Sequence, residues 1–92
     1  MRRVVLLAAA QEELNSGSDF YNARRTGQGD EFIDTVTYTL RLIAEYPYLG
    51  VKTKRGARRF VLAKYPYTLL YRVLSDRIYV TNLIHDAREW DY

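Results

Sequence analysis

The chain of 92 residues contains no cysteine and a single histidine, His85. Without thiols it can form neither a disulfide framework nor a thiolate metal site, and one histidine cannot supply the imidazole cluster of a zinc centre. We therefore expect no metal and no other cofactor. This length lies near the lower limit at which one hydrophobic core suffices, so residues 1–92 are predicted to form a single domain.

Long apolar runs are also absent. Although 48% of the residues are hydrophobic, no run reaches the roughly 20 residues that span a bilayer. The stretch 1–10 resembles the start of a signal peptide, but Gln11, Glu12 and Glu13 follow it and continue an amphipathic pattern. Together with the lack of cysteine, this pattern predicts a cytoplasmic protein with no membrane partner.

Sequence motifs of two common functional classes are missing too. Gly27 and Gly29 flank one residue, and no lysine follows them as it does in a phosphate-binding loop. No Gly-x-Ser-x-Gly elbow is present, and there is no cysteine to act as a nucleophile. Nucleotide binding through such a loop and acyl transfer are therefore disfavoured.

The formal net charge of +3 conceals an uneven distribution along the chain. Residues 1–45 hold five basic and seven acidic side chains, residues 46–75 hold seven basic and none acidic, and residues 76–92 hold two basic and four acidic. Five of the central charges lie within eight residues: Lys52, Lys54, Arg55, Arg58 and Arg59. Such a patch attracts a polyanion or an acidic protein surface, although a solvated loop charged for solubility has the same composition.

Nine tyrosines accompany these cations. Tyr65, Tyr67, Tyr71 and Tyr79 interleave with basic residues, which suits stacking on the unpaired bases of RNA. Tyrosine is also common on half-buried strands, where its ring packs and its hydroxyl stays in water. The second interpretation is favoured.

The spacing of apolar residues predicts one strand followed by two helices. Residues 3–7 form a short edge strand that pairs with later strands. Helical spacing then extends over residues 8–25, with Gly17 requiring either a close packing partner or a bend. A second helix, capped by Asp30, ends near Tyr46 because a proline follows. Its apolar stripe comprises Phe32, Ile33, Val36, Leu40 and Ile43.

Three further strands are predicted in the carboxyl-terminal half. Residues 57–64 form the first, and Pro66 marks the turn after it. The next two strands, joined by a turn at Ser75 and Asp76, alternate in side-chain direction. Leu69, Tyr71 and Val73 share one side of the first strand, and Ile78, Val80 and Ile84 share one side of the second. The predicted fold class is α+β: an N-terminal strand and an antiparallel helical hairpin packed on an antiparallel sheet, which a three-strand meander completes.

The last predicted strand ends in polar and aromatic residues: His85, Asp86, Arg88 and Trp90. A sheet can hold such groups rigidly against a partner. Histidine can act as a general base and arginine can bind a phosphate. A lone histidine at a strand end is more often a structural hydrogen-bonding residue, and this interpretation is favoured for His85.

Three segments, GDEFIDTVTYTLRLIAEYPYLG, RRFVLAKYPYTLLYRV and RIYVTNLIHDAREW, occur in this order. Together with the order of elements, they resemble the RelE/ParE superfamily of bacterial toxins over nearly the whole chain. The similarity lies in the spacing of Gly29, Phe32, Pro47, Gly50, Arg59, Pro66, Tyr67, Tyr71, His85, Arg88 and Trp90. It implies a compact α+β toxin, encoded beside an antitoxin that wraps it in a hetero-oligomer.

The resemblance implies one of two activities. RelE-like members cut messenger RNA on the ribosome without a metal, through several basic residues and a tyrosine, whereas ParE-like members inhibit DNA gyrase and are not enzymes. Arg59 and Arg88 match basic positions of the RelE-like pattern. Val61 and Thr68 occupy two others, and a missing cation there weakens stabilisation of the charge that develops on the phosphate. The ParE-like activity is therefore favoured.

Candidate residues follow from the same resemblance. For the ParE-like toxin, the residues expected to face the target are Arg59, His85, Arg88 and Trp90. The alternative endoribonuclease would surround a phosphate with Arg59, Lys64, Arg72 and Arg88, and use Tyr71 or His85 in proton transfer. Tyr21, Tyr38 and Leu70 are expected to be exposed and to contact the antitoxin, whose flexible segment buries apolar surface of the toxin.

Overall fold

The computed structural model of the chain describes residues 1–88. Its elements follow the predicted order, with one additional short strand. The two helices are α1 (Ala8–Arg24) and α2 (Gln28–Glu45). The strands are β1 (Arg3–Leu6), β2 (Val51–Lys52), β3 (Arg58–Val61), β4 (Tyr67–Val73) and β5 (Arg77–His85). Neither of these helices is long and apolar enough to cross a bilayer.

The five strands form one sheet in the order β1-β5-β4-β3-β2. The pairs β2–β3, β3–β4 and β4–β5 are antiparallel. β1 lies at an edge, as expected, but it runs parallel to β5, with Val4 opposite Ile78. The sheet is therefore mixed rather than wholly antiparallel. Parallel neighbours need a long connection, and here both helices and three strands separate the pair along the chain.

Both helices pack on one face of the sheet, called the inner face below. α2 contributes Phe32, Val36 and Ile43, which are buried members of the predicted stripe. α1 contributes mainly small residues, among them Ala10 and Gly17. Ala10, the three residues from α2 and the inward side chains of the strands belong to one hydrophobic cluster. The predicted helical hairpin packed on a sheet is thus confirmed.

Gly17 lies where α1 meets Phe32. A Cβ atom at Gly17 would lie 2.7 Å from Cε2 of Phe32 and 3.2 Å from the hydroxyl of Tyr67. Both distances are shorter than an ordinary van der Waals contact, so a side chain here would force the aromatic rings apart. Phe32 is therefore the close packing partner predicted for Gly17. Glycine is a poor helix former, but its lack of a side chain allows this close contact between α1 and the ring.

α2 begins differently from the prediction. The helix starts at Gln28, and the N-cap is Gly27, whose φ of 88° is in the left-handed region that favours glycine. Gly27 has no side chain to cap this end, but Oδ1 of Asn22 on α1 accepts from the first-turn N–H of Gly29 at 2.8 Å. Asp30 lies instead in the first turn beside Glu31, where negative charge suits the positive end of the helix dipole. The expectation that Asp30 caps the helix is wrong.

A bulge in β5 changes which residues reach the core. Consecutive residues of β4 pair with Asn82 and Val80, which leaves Thr81 as an extra residue in β5. The bulge reverses the alternation of side chains after Val80. Leu83, rather than Ile84, therefore belongs to the core cluster. Ile84 is buried on the other face of the sheet.

Candidate functional site

A cleft of about 260 Å³ opens at the end of the sheet where β5 stops. One wall is α1, and the other is formed by the start of β4 and the turn after β5. The residues that line it are Glu13, Ser16, Gly17, Phe20, Tyr67, His85 and Arg88. The four from α1 recur at helical spacing and share one face of that helix. This end cleft brings together two of the predicted target-facing residues, His85 and Arg88.

Arg88 reaches across the end cleft to α1. Its Nη1 donates a hydrogen bond of 2.7 Å to Oε1 of Glu13. This hydrogen bond and the charge of Glu13 raise the pKa of Arg88 above its ordinary value, so the guanidinium stays charged. The Arg88 side chain remains 59% exposed. Glu13 therefore fixes one side of the guanidinium while the other side stays open to a partner.

His85 makes a structural hydrogen bond. Its Nδ1 accepts from the backbone N–H of Ala87 at 3.1 Å. Its ring packs edge-on against Tyr67, with 5.0 Å between the ring centroids, and its carbonyl accepts from the N–H of Arg88 at 2.9 Å. His85 thus orders the turn that carries Arg88 and leaves Nε2 for other contacts.

Asp86 joins the same turn to the sheet. Its N–H donates to the carbonyl of Pro66 at 2.8 Å, and its Oδ1 accepts from the hydroxyl of Thr68 at 2.7 Å. Thr68 occupies a position where the RelE-like pattern expects a cation. Here its buried hydroxyl anchors the turn, which gives this residue a structural function.

Tyr67 supplies a largely buried ring at the floor of the end cleft. Burial is the main reason that the pKa of Tyr67 lies above its ordinary value; Tyr21 and Glu13 add to the increase, and Arg88 opposes it. The hydroxyl therefore stays protonated at neutral pH and can donate a hydrogen bond. Sequence reasoning did not assign Glu13 or Phe20 to the site, although their spacing of seven residues places them on one helix face.

Two other predicted residues of the described part of the chain do not line the end cleft. Arg59 lies on β3 and points to the face of the sheet away from the helices, because its neighbour Phe60 packs against the core. Lys64 lies in the connection between β3 and β4, with a φ of 68°. Trp90 lies outside the described residues. Of the expected target-facing residues that the structure describes, Arg59 thus lies apart from His85 and Arg88.

The residues of the alternative nuclease centre are dispersed as well. Tyr71 is fully buried. Its hydroxyl donates to the carbonyl of Pro47 at 2.8 Å and accepts from the N–H of Gly50 at 2.9 Å. Arg72, next to it, points away from the helices, whereas Arg88 contacts α1. The structure does not bring these side chains around one phosphate, and the Tyr71 hydroxyl is not available for proton transfer.

Of the residues expected to contact the antitoxin, only Tyr38 has the predicted exposure. It lies on α2 with 66% of its surface accessible. Tyr21 is 8% exposed because its ring packs 5.3 Å from that of Phe32 and 5.0 Å from that of Tyr65. Leu70 is 2% exposed and lies on β4, the central strand, rather than at a sheet edge. The expected exposure of Tyr21 and Leu70 is therefore wrong.

The acidic side chains at the end cleft and in the turn after β5 already form contacts within the protein. Glu13 binds Arg88, and Asp86 binds Thr68. Within residues 1–88, no group of three or more acidic or histidine side chains is placed to hold a metal ion. The end cleft is therefore arranged for hydrogen bonding and charge pairing through its own side chains.

Comparisons with known proteins identify the family. The model of the family described as "ParE toxin of type II toxin-antitoxin system, parDE" matches residues 4–90. No curated protein matches significantly. A solved structure described as the chromosomal ParDE TA system from P. aeruginosa shares the fold: the TM-score is 0.80 at 15% identity, over 92% of this chain and 96% of that one. Because the family model covers almost the whole chain, this protein belongs to the ParE toxin family of type II toxin-antitoxin systems.

Proposed function

We propose that the protein is a cytoplasmic toxin that inhibits DNA gyrase by binding, without catalysis, and is neutralised by a cognate antitoxin. The observation that carries the proposal is membership of the ParE toxin family over residues 4–90. The structural relative is described as a ParDE TA system, which supports an antitoxin partner and a hetero-oligomeric complex. We further propose that residues 1–92 act as one domain.

The end cleft supports a binding function for Arg88. Its guanidinium is held by Glu13 on one side, and the turn that carries it is ordered by His85 and Asp86. A side chain that is already ordered loses less conformational entropy when it meets a partner. Arginine is also among the residues that most often dominate the energetics of an interface. We therefore propose Arg88 as a principal contact with the target.

The RelE-like alternative receives less support. A ribosome-dependent endoribonuclease needs cations and a proton-transfer group around one phosphate. Tyr71 is buried with both hydrogen bonds of its hydroxyl committed to backbone groups. Arg72 and Arg88 lie on different sides of the sheet. The function is therefore tested in an experiment that also detects messenger RNA cleavage.

Inducible expression in a bacterial host is expected to show gyrase inhibition that depends on Arg88. The wild-type chain should cause loss of plasmid supercoiling and DNA breaks, while transcripts stay intact. Arg88→Ala should need at least about tenfold more protein for the same effect, because it removes an anchoring arginine. Both effects are measured in the same cells and then repeated with purified gyrase and relaxed plasmid.

Arg41→Ala provides the matched control, because Arg41 is an exposed arginine on α2, remote from the turn after β5. It should behave like the wild type. Circular dichroism of all three proteins establishes that each is folded. Rapid transcript cleavage with normal supercoiling would contradict the proposal and favour the endoribonuclease. Equal effects of Arg41→Ala and Arg88→Ala would remove Arg88 from the target contact.

Tyr38 is the remaining candidate for antitoxin contact. Its large exposed ring on α2 is typical of an interface anchor. Tyr38→Ala is expected to weaken antitoxin binding about tenfold or more, measured by titration calorimetry with the protein encoded by the adjacent reading frame. Gyrase inhibition without antitoxin should be unchanged, which serves as the internal control. Unchanged antitoxin affinity would exclude Tyr38 from the interface.

A further inference from the structure

Five arginines lie on the outer face of the sheet, the face away from the helices. In the strands, each follows or precedes a residue that packs in the core, so its own side chain must point outward. Arg3, Arg59, Arg72 and Arg77 are placed in this way on four different strands. Arg55, from the hairpin between β2 and β3, lines a groove together with Arg72. These five residues are called the arginine face.

Acidic side chains are few in the half of the chain that supplies most of the arginine face. Residues 46–92 contain nine basic and four acidic side chains, a net charge of +5. Among the described residues, Asp76 pairs with Arg77 at 2.7 Å and Asp86 accepts from Thr68. Arg3, Arg59 and Arg72 form no ion pair among residues 1–88. Arg3, Arg59 and Arg72 therefore give this face positive charge that no ion pair within residues 1–88 neutralises.

The helical layer has the opposite charge. Residues 8–45 hold seven acidic and three basic side chains, a net charge of −4. Because both helices lie on the inner face, the molecule is electrically polar across its thickness. Such a charge distribution orients a protein during its approach to a polyanion and increases the rate of encounter. The arginine face is the side that would meet the polyanion.

A groove of about 210 Å³ lies within the arginine face. Arg55 and Arg72 line it together with Thr81 and Asn82, and the buried side chains of Leu70 and Ala57 contribute to it. The planar guanidinium group of Arg72 can donate two parallel hydrogen bonds that match the oxygens of a phosphate, and the amide of Asn82 can donate another. The groove thus has the chemistry of a phosphate-binding site.

We propose that the arginine face binds the phosphate backbone of duplex DNA, so that the toxin contacts DNA as well as gyrase; this inference rests on the proposed function. Protein–DNA interfaces are polar and strongly positive, whereas the cores of protein–protein interfaces are apolar and poor in charge. The exposed apolar residues Val51 and Val61 lie on the two strands at one edge of this sheet, not at its centre.

The same surface is poorly suited to unpaired nucleic acid. Single strands are bound by aromatic rings on which successive bases stack. The aromatic residue beside these arginines is Tyr79, and Arg77 already covers its ring at 5.9 Å from the centroid and donates to its hydroxyl at 3.2 Å. Contact between guanidinium groups and the nucleic-acid backbone therefore fits the arginine face better than stacking on bases does.

The test is binding of the purified toxin, without gyrase, to a short fluorescent DNA duplex, followed by anisotropy. Affinity should fall steeply as salt increases from about 50 to about 200 mM, since each phosphate contact contributes about −0.9 to the slope of log K against log salt. The double variant Arg59→Gln/Arg72→Gln should lower the magnitude of this slope by about 1.8 and weaken binding about tenfold or more.

The matched control is Arg24→Gln/Arg41→Gln, which removes the same charge from the helical layer. It should bind DNA like the wild type. Equal losses in both double variants would overturn the proposal, because net charge alone would then explain binding. A single strand bound as tightly as the duplex would overturn it too, as would salt-sensitive binding to gyrase protein with none to DNA.

A supercoiling assay with purified gyrase separates this inference from the proposed function. Gyrase inhibition without any binding of the toxin to DNA would overturn the arginine face as a DNA-binding surface and leave the proposed function in place. DNA binding that fails in Arg59→Gln/Arg72→Gln, with no inhibition of gyrase by the wild type, would support the DNA contact and refute the proposed function.

Discussion

Phe32→Ala is expected to lower the free energy of unfolding by about 3–5 kcal/mol. The side chain is completely buried where α2 meets both α1 and the sheet. Its ring centroid lies 5.3 Å from that of Tyr21, 5.1 Å from that of Tyr65 and 5.0 Å from that of Tyr67. Gly17 closes on the same ring. Truncation leaves a cavity that four partly rigid neighbours cannot fill.

Urea unfolding followed by circular dichroism measures this loss. Phe20→Ala is the matched control, because Phe20 is the same residue type on α1 but is 51% exposed. It should change the free energy of unfolding by about 1 kcal/mol or less. A loss below about 1.5 kcal/mol in Phe32→Ala, the usual range for a well-tolerated core change, would show that the surrounding rings collapse into the space.

The same aromatic cluster supports the end cleft. Phe32 contacts Tyr67, and Tyr67 contacts His85 at the end of β5. His85 in turn orders the turn that carries Arg88. Folding and the proposed target contact are therefore linked through packed rings. This continuity explains how a chain of this size can hold an exposed arginine in one position without a disulfide.

Much of the core could be predicted because its periodicity is regular. Phe32, Val36 and Ile43 recur at helical spacing on one face of α2, and all three are buried. In β4, Leu69 and Tyr71 follow the expected alternation. Both patterns depend only on the local sequence, so they can be recognised without knowing which helices and strands pack against them.

Other features depend on contacts distant in the sequence and could not be predicted in this way. β2 has two residues, too few to show an alternation. The parallel pairing of β1 with β5 joins positions 74 residues apart, such as Arg3 and Arg77. The extra residue Thr81 shifts the alternation of β5 although the sequence there reads as a regular strand. Tertiary pairing, not local propensity, decides these three features.

The candidate site likewise combines features that the local sequence predicts with features that depend on tertiary contacts. His85 and Arg88 adjoin the end of one strand, so their proximity was predictable from the sequence alone. Glu13 and Phe20 join them only because α1 packs over that end of the sheet. The arginine face could be predicted in part. The charge asymmetry appears in the sequence, but placing these arginines on the outer face of the sheet requires knowledge of which strand residues point inward.

Tyr71→Phe is expected to lower the free energy of unfolding by about 2–4 kcal/mol, although it removes only one oxygen atom. The Tyr71 hydroxyl is completely buried and bridges the carbonyl of Pro47 and the N–H of Gly50. Without it, two backbone groups of the loop after α2 lose their partner, and each unpaired buried group costs about 1–3 kcal/mol. Burial also raises the pKa of Tyr71, against the hydrogen bond from Gly50 and the charge of Arg58.

The control for this substitution is Tyr38→Phe, which removes an exposed hydroxyl from α2 and should leave the free energy of unfolding within about 0.5 kcal/mol of the wild type. Both variants are measured by urea unfolding. The two functional hypotheses differ sharply for Tyr71. A catalytic tyrosine could be replaced by phenylalanine with stability preserved and messenger RNA cleavage lost. A structural tyrosine loses stability, and gyrase inhibition persists wherever the variant remains folded, because the Tyr71 hydroxyl bonds the loop after α2 and not the end cleft.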